Sequence, residues 1–193
     1  MQAIDTLLGR RSPKTLTDPA PDDPALELLL ECASRAPDHG RLRPWRFIVI
    51  RGAARAQLGE LMAGQLQRKL STASAESLQR ERQKALRAPL IVVVAAVCNA
   101  ETKIPAIEQI LAAGAAAQNM MLAATALGFG AMWKTGDVAY DETVKAALGL
   151  AAADAIVGFL YLGTAPADGV PPAVRTPWQD RVSYWTGGNG LKA

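Results

Sequence analysis

Apolar residues recur at helical spacing at Ile4, Leu7 and Leu8, and Gly9 stands where such a helix would end. A second stripe, Leu26, Leu29, Leu30 and Ala33, follows the proline-rich turn from Asp18 to Pro24 and must stop before Pro37. Phe47 to Ile50 reads as a strand, and Leu58, Leu61, Met62 and Leu66 mark one face of a helix over 55–70. The polar, charged stretch from Ser71 to Arg87 predicts a mobile helix. Leu90 to Val97 is an unbroken run rich in β-branched residues, which predicts a central buried strand. From Pro105 in its first turn to about Leu127, the next helix is apolar on nearly every side and belongs at the buried centre. Its Gly114–Ala117 segment lets another backbone come close. A short helix over 141–148 and a strand over 156–162 follow. Strands separated by a majority of helices predict an α+β fold of the three-layer α/β type. No repeat and no linker divides the chain, so residues 1–193 are expected to form one domain.

Composition narrows the partners. Half of the 193 residues are hydrophobic, which argues against disorder. The net charge is +3, which suits an anionic small molecule better than nucleic acid, and no dense basic arm is present. Cys32 and Cys98 form no CxxC pair, and His39 is the only histidine, so no metal site is expected. The first residues carry no basic region before an apolar run. Gln118 and Asn119 interrupt the apolar stretch 110–133, which argues for a buried helix over a membrane span. A cytoplasmic protein with reduced thiols is expected.

Three stretches could carry chemistry. Arg10, Arg11 and Ser12 offer planar donor forks and a hydroxyl, a match for phosphate. Read in isolation, they fit better a basic helix end favoured by the helix dipole. Arg35 and His39 flank the helix-breaking Pro37 and can project from one loop; just beyond, Arg41-Leu42-Arg43-Pro44-Trp45-Arg46 mixes cations with an indole. Gly128-Phe129-Gly130 starts like a dinucleotide fingerprint and fails it, because a helix precedes the glycines and Trp133 stands where a small residue is needed. The glycines instead turn the chain, after which Trp133-Lys134-Thr135-Gly136 presents amides, a cation and a hydroxyl as a loop.

Taken in order, these pieces resemble the nitroreductase-like flavoproteins. They are Arg10-Arg11-Ser12, Arg35-Ala36-Pro37-Asp38-His39, Pro44-Trp45, Arg87-Ala88-Pro89, Gly128 to Trp133, and Gly158 to Thr164. The resemblance implies a mixed sheet flanked by helices, with the long central helix in a homodimer core and FMN at the interface. It implies that Arg10, Arg11 and Ser12 hold the phosphate and ribityl chain, and that Arg35 and His39 reach the FMN held mainly by the other subunit. Trp133, Lys134 and Thr135 would lie along the flavin, with Lys134 tuning the ring. Ala123, Ala124, Thr125, Ala126, Leu127 and Gly128 match a stretch that relatives assign to the nicotinamide, and helix packing explains them too. Arg41 and Arg43 depart from the small polar residue and glutamine that many members carry. The tail 166–193 is expected to wrap the partner subunit. The implied activity is ping-pong hydride transfer from NAD(P)H through FMN to a nitroaromatic or quinone, with no catalytic side chain. A flavin-dependent dehalogenase, a flavin-cleaving enzyme and a non-enzymatic FMN-binding or redox-sensing protein remain open alternatives.

Overall fold

Every residue of strand β2 (Leu90–Ala96) is buried, because helices cover both faces of the sheet it centres. The computed structural model describes residues 2–166, 177–185 and 187. Helix α1 (Ala3–Gly9) and helix α2 (Asp23–Ala33) come first, followed by β1 (Trp45–Arg51). The helices α3 (Ala54–Lys69) and α4 (Ala75–Lys84) lead to β2. The long helix α5 (Ala106–Ala126) leads to β3 (Gly130–Lys134), and α6 (Glu142–Ala147) to β4 (Ala155–Gly163). The sheet order is β1-β2-β4-β3.

Alternation along β2 sorts the core into two layers. Leu90, Val92, Val94 and Ala96 face α2 and α5, together with Leu160 and Leu162 of β4. Ile91, Val93 and Ala95 face the other way, with Phe159, Tyr161 and Met132, against Leu58 and Met62 of α3 and Val144 of α6. Burying each such large side chain contributes about 1.5–3 kcal/mol. The expected three layers are therefore present, with the sheet as the middle one.

Three expectations need correction. The mixed sheet implied by the family resemblance is not what the described strands form, since all three pairings are antiparallel. Gly128 to Trp133 is not simply a turn, and Trp133 and Lys134 are not loop residues. The turn is confined to the residues just after α5, and β3 runs from Gly130 to Lys134 as an edge strand paired with β4. A five-residue strand that begins with glycine carries too short a pattern to read alone; its ladder with β4 makes it a strand. Finally, α5 is buried on one side only. Ala113, Ala116, Ala117 and Met120 are fully covered, whereas Ile107 and Leu111 are 59% and 64% exposed.

The polar stretch 71–87 does contain a helix, α4, capped at its start by Ser74, whose Oγ accepts the Ser77 N–H. It packs on α3, and Arg82 Nε donates to both Glu60 carboxylate oxygens at 2.8 and 3.0 Å. The expected docking of the tail on a partner falls largely outside the described residues. Within the described part, Trp178, Tyr184 and Trp185 are exposed.

Candidate functional site

Helix α1 ends at Arg10, whose guanidinium donates from Nη1 to Ser12 Oγ at 3.0 Å. Arg11 turns back instead, and its Nη1 donates to the carbonyls of Leu8, Gly9 and Arg10 at 3.0, 3.1 and 3.2 Å. Two adjacent arginines thus take different tasks: one closes the helix end, and the other meets the hydroxyl. Beyond Ser12 the chain passes over the start of β3. A Cβ added at Gly130 would lie 2.4 Å from Leu16 Cδ2 and 3.2 Å from Pro13 Cγ, so a larger residue there would have to displace the Leu16 side chain. Leu16 N–H then donates to Arg87 O at 2.8 Å, and Thr17 bridges Thr164. Arg10 to Ser12, β3 and Arg87 are in this way brought into one neighbourhood.

At the far end of β3, Lys134, Thr135 and Gly136 border a cavity of about 250 Å³. Its other polar walls are Gln65 of α3, Glu81 and Lys84 of α4, Arg87, Asp137 and Tyr161, with Asp137 paired to Lys69 of α3. Lys84 Nζ lies 2.5 and 2.6 Å from the two Glu81 carboxylate oxygens. Burial pushes the Tyr161 phenol up to about 12; the Arg87 charge opposes that rise and Glu81 adds to it. Gly136 has φ 105°, the left-handed region, and a Cβ there would meet nothing within 4 Å, so its backbone is open to approach. Three cations, two carboxylates, a phenol and an exposed turn therefore share one hollow, and with Lys84 paired to Glu81 the cations left over are Arg87 and Lys134. Such a set can hold an anionic, acceptor-rich small molecule. Sequence reasoning missed Gln65, Glu81, Lys84 and Tyr161. The spacing of Glu81 and Lys84 in one helix turn was visible, but which sheet face they oppose was not.

Trp133 takes a different part. Its Nε1 donates to Val157 O at 3.2 Å, and its ring lies over Gly158, where an added Cβ would come within 2.2 Å of Nε1. The indole is thus held against β4 by packing and a hydrogen bond. Ala123 to Ala126 form the last turn of α5, and Leu127 and Gly128 the turn beyond it. Ala124 is buried, Thr125 Oγ1 donates to Met121 O at 2.9 Å, and Gly128 turns the chain at φ 85°. Ala123 and Ala126 also line an open apolar groove with Ala3, Leu7 and Arg35.

Arg35 and His39 lie on the α2–α5 side of the sheet, opposite the Lys134 cavity, and the single chain does not bring them together with it. Arg35 pairs with Glu31 at 2.9 Å, both groups being exposed. His39 Nδ1 lies 2.6 Å from Glu108 Oε2 in the first turn of α5. Among the described residues there is no group of three or more histidine, cysteine or acidic side chains placed to hold a metal, and no helix long and apolar enough to cross a membrane.

Comparison with known proteins supplies the family. The family model described as "Nitroreductase family" matches residues 7–164. The Escherichia coli K12 protein "Putative NAD(P)H nitroreductase YdjA" is 39% identical over 165 residues, spanning 85% of this chain and 88% of that one. The Bacillus subtilis protein "Putative NAD(P)H nitroreductase YfhC" is 30% identical over 183 residues, spanning 93% and 92%. Among solved structures, a nitroreductase-like family protein from Bacillus cereus superposes with a TM-score of 0.82 at 26% identity, covering 97% of each chain. A Desulfovibrio desulfuricans structure, described as a "putative nitroreductase in complex with fmn", gives 0.74 at 27% identity, covering 97% and 99%. With a family model spanning most of its length and relatives at this identity, the chain belongs to the nitroreductase family of oxidoreductases.

Proposed function

We propose that this protein is an FMN-dependent oxidoreductase that takes a hydride from NAD(P)H and delivers it to an electron-poor acceptor, a nitroaromatic or a quinone, in ping-pong order. The observation that carries this reading is the cavity at the end of β3, where Lys134, Arg87, Lys84 and Tyr161 converge. The donor set fits the cofactor. Arg10 and Ser12 at one end of β3 suit a phosphate, and the cations and exposed turn at the other end suit an acceptor-rich ring edge. The strand between them spans about 13 Å, the scale of a mononucleotide.

FMN, when bound, supplies the two-electron chemistry. The chain's own residues bind and polarise. Arg10 and Ser12 would hold the phosphate, while Lys134, Lys84 and Arg87 would favour negative charge on the ring edge they face. Arg11 contributes indirectly by closing α1. Trp133 keeps β3 against β4 so that Lys134 and Thr135 stay in place.

A homodimer belongs to the same reading. Ile4 and Leu8 of α1 and Ile107 and Leu111 of α5 are exposed large apolar residues in the single chain, and Arg35 and His39 lie away from the cavity of their own subunit. A second copy would cover the former and give the latter a cofactor to reach. The test is the visible spectrum of the purified protein. Flavin absorbance that bleaches with NAD(P)H without oxygen and returns on adding a quinone supports the proposal; a protein that stays colourless after incubation with excess FMN ends it.

A further inference from the structure

The loop joining α2 to β1 is held in a costly shape. Arg41 and Arg43 both have left-handed backbone, with φ 54° and 51°, which strains any residue that carries a side chain. Several contacts fix it there. Asp38 Oδ2 accepts the Arg43 N–H at 2.6 Å, and Asp38 O accepts the Arg41 N–H at 3.2 Å. His39 is tied to Glu108, and Gly40 lies so close to Ile104 that a Cβ would come within 2.3 Å of it. Both arginine side chains are exposed, and their guanidinium groups have no hydrogen-bond or ion-pair partner among the described residues. Glycine or asparagine would adopt the same backbone with less strain. Among the described residues, no hydrogen bond or ion pair of the fold uses the two groups that the loop presents.

Arg43 borders a hollow of about 420 Å³ that Glu31, Ser34, Arg35 and Trp45 complete. That volume lies in the range of small-molecule sites. Arg35 is already engaged by Glu31 at 2.9 Å, which leaves Arg43 as the cation without a carboxylate. Ser34 Oγ donates to Leu30 O at 2.8 Å and can still accept or share. The half-buried Trp45 offers part of a flat apolar wall. A guanidinium fork beside an indole suits a phosphomonoester on a nucleoside.

We propose that this hollow, which lies across the sheet from the cavity of its own subunit, binds the 2′-phosphate end of a reducing dinucleotide whose nicotinamide meets the flavin of the second copy in the proposed dimer, with Arg43 as the residue that favours NADPH over NADH. The inference rests on the dinucleotide oxidation proposed above and names the coenzyme class for it. NADH has no phosphate at that position and would leave Arg43 facing water, whereas NADPH gives it a charge-assisted partner.

Calorimetric titration of the purified protein, cofactor included, with 2′,5′-ADP and with 5′-AMP tests this without turnover. The expected result is at least about tenfold tighter binding of 2′,5′-ADP, the size of one charge-assisted contact. Arg43→Gln abolishes that ratio. Arg43→Gly abolishes it too, while leaving the thermal midpoint level or higher, because the strain is relieved. Equal affinity of the wild type for the two nucleotides, or a preference that survives Arg43→Gln, overturns the proposal. Measuring kcat/KM for both coenzymes separates the two readings. A protein that oxidises NADH and NADPH equally and shows no 2′,5′-ADP preference loses the phosphate site alone. A protein that oxidises neither, yet binds 2′,5′-ADP through Arg43, loses the proposed function and keeps the site.

Discussion

Replacing Tyr161 by phenylalanine tests the electrostatics of the β3 cavity through stability. The phenol is buried and its pKa rises from the ordinary value of 10.0 to about 12, with burial as the main cause. Below pH 10 both the folded and unfolded chains keep the proton, and the folded state has its full stability. Between pH 10 and 12 the unfolded chain releases the proton first, so stability falls as pH rises. The loss relative to Tyr161→Phe should reach about 0.4 kcal/mol at pH 10 and about 1.4 kcal/mol at pH 11, from one pKa unit being worth about 1.4 kcal/mol. Other tyrosines and the lysines titrate in both proteins and cancel in the difference. The assay is urea unfolding of wild type and Tyr161→Phe at pH 8, 10 and 11. Parallel decline of the two would show that burial does not hold the Tyr161 phenol neutral, and the position given to it behind the cavity wall would fail.

Gly158→Ala drives a Cβ into the Trp133 ring, with three indole atoms within 2.9 Å, and should cost about 1–3 kcal/mol in urea unfolding; an unchanged midpoint would refute the packing role given to Trp133. Arg10→Ala should weaken FMN binding about tenfold or more in a fluorescence titration, in line with one charge-assisted contact. Arg11→Ala should instead lower thermal stability by about 1 kcal/mol with little change in FMN affinity, because its guanidinium serves the end of α1; the reverse pattern would refute the division between them. Leu111→Asp places a charge on the exposed apolar side of α5 and should yield monomers in sedimentation; a dimer of undiminished affinity would move the interface elsewhere.

Element type was legible wherever one periodicity ran long enough. The stripe Leu26, Leu29, Leu30, Ala33 is the core side of α2, and the run from Leu90 is β2. The family, too, was readable from short motifs taken in order, in which charged and turn residues such as Arg10 and Gly128 stand beside core residues such as Met132 and Phe159. What stayed hidden depended on neighbours distant in sequence. β3 exists because β4 pairs with it, and α5 has one exposed side because no described element of the same chain reaches Ile107 and Leu111. The assignment of Arg11 to a helix end and of Arg10 to Ser12 turned on which way two adjacent side chains point. Local spacing, then, determined the helices, the central strand and the kind of chemistry the chain could support. The partners of β3, and the meeting of Lys84, Arg87, Lys134 and Tyr161 around one hollow, were decided by the tertiary structure alone. Contacts between residues dozens of positions apart depend on chain closure and leave no periodic trace.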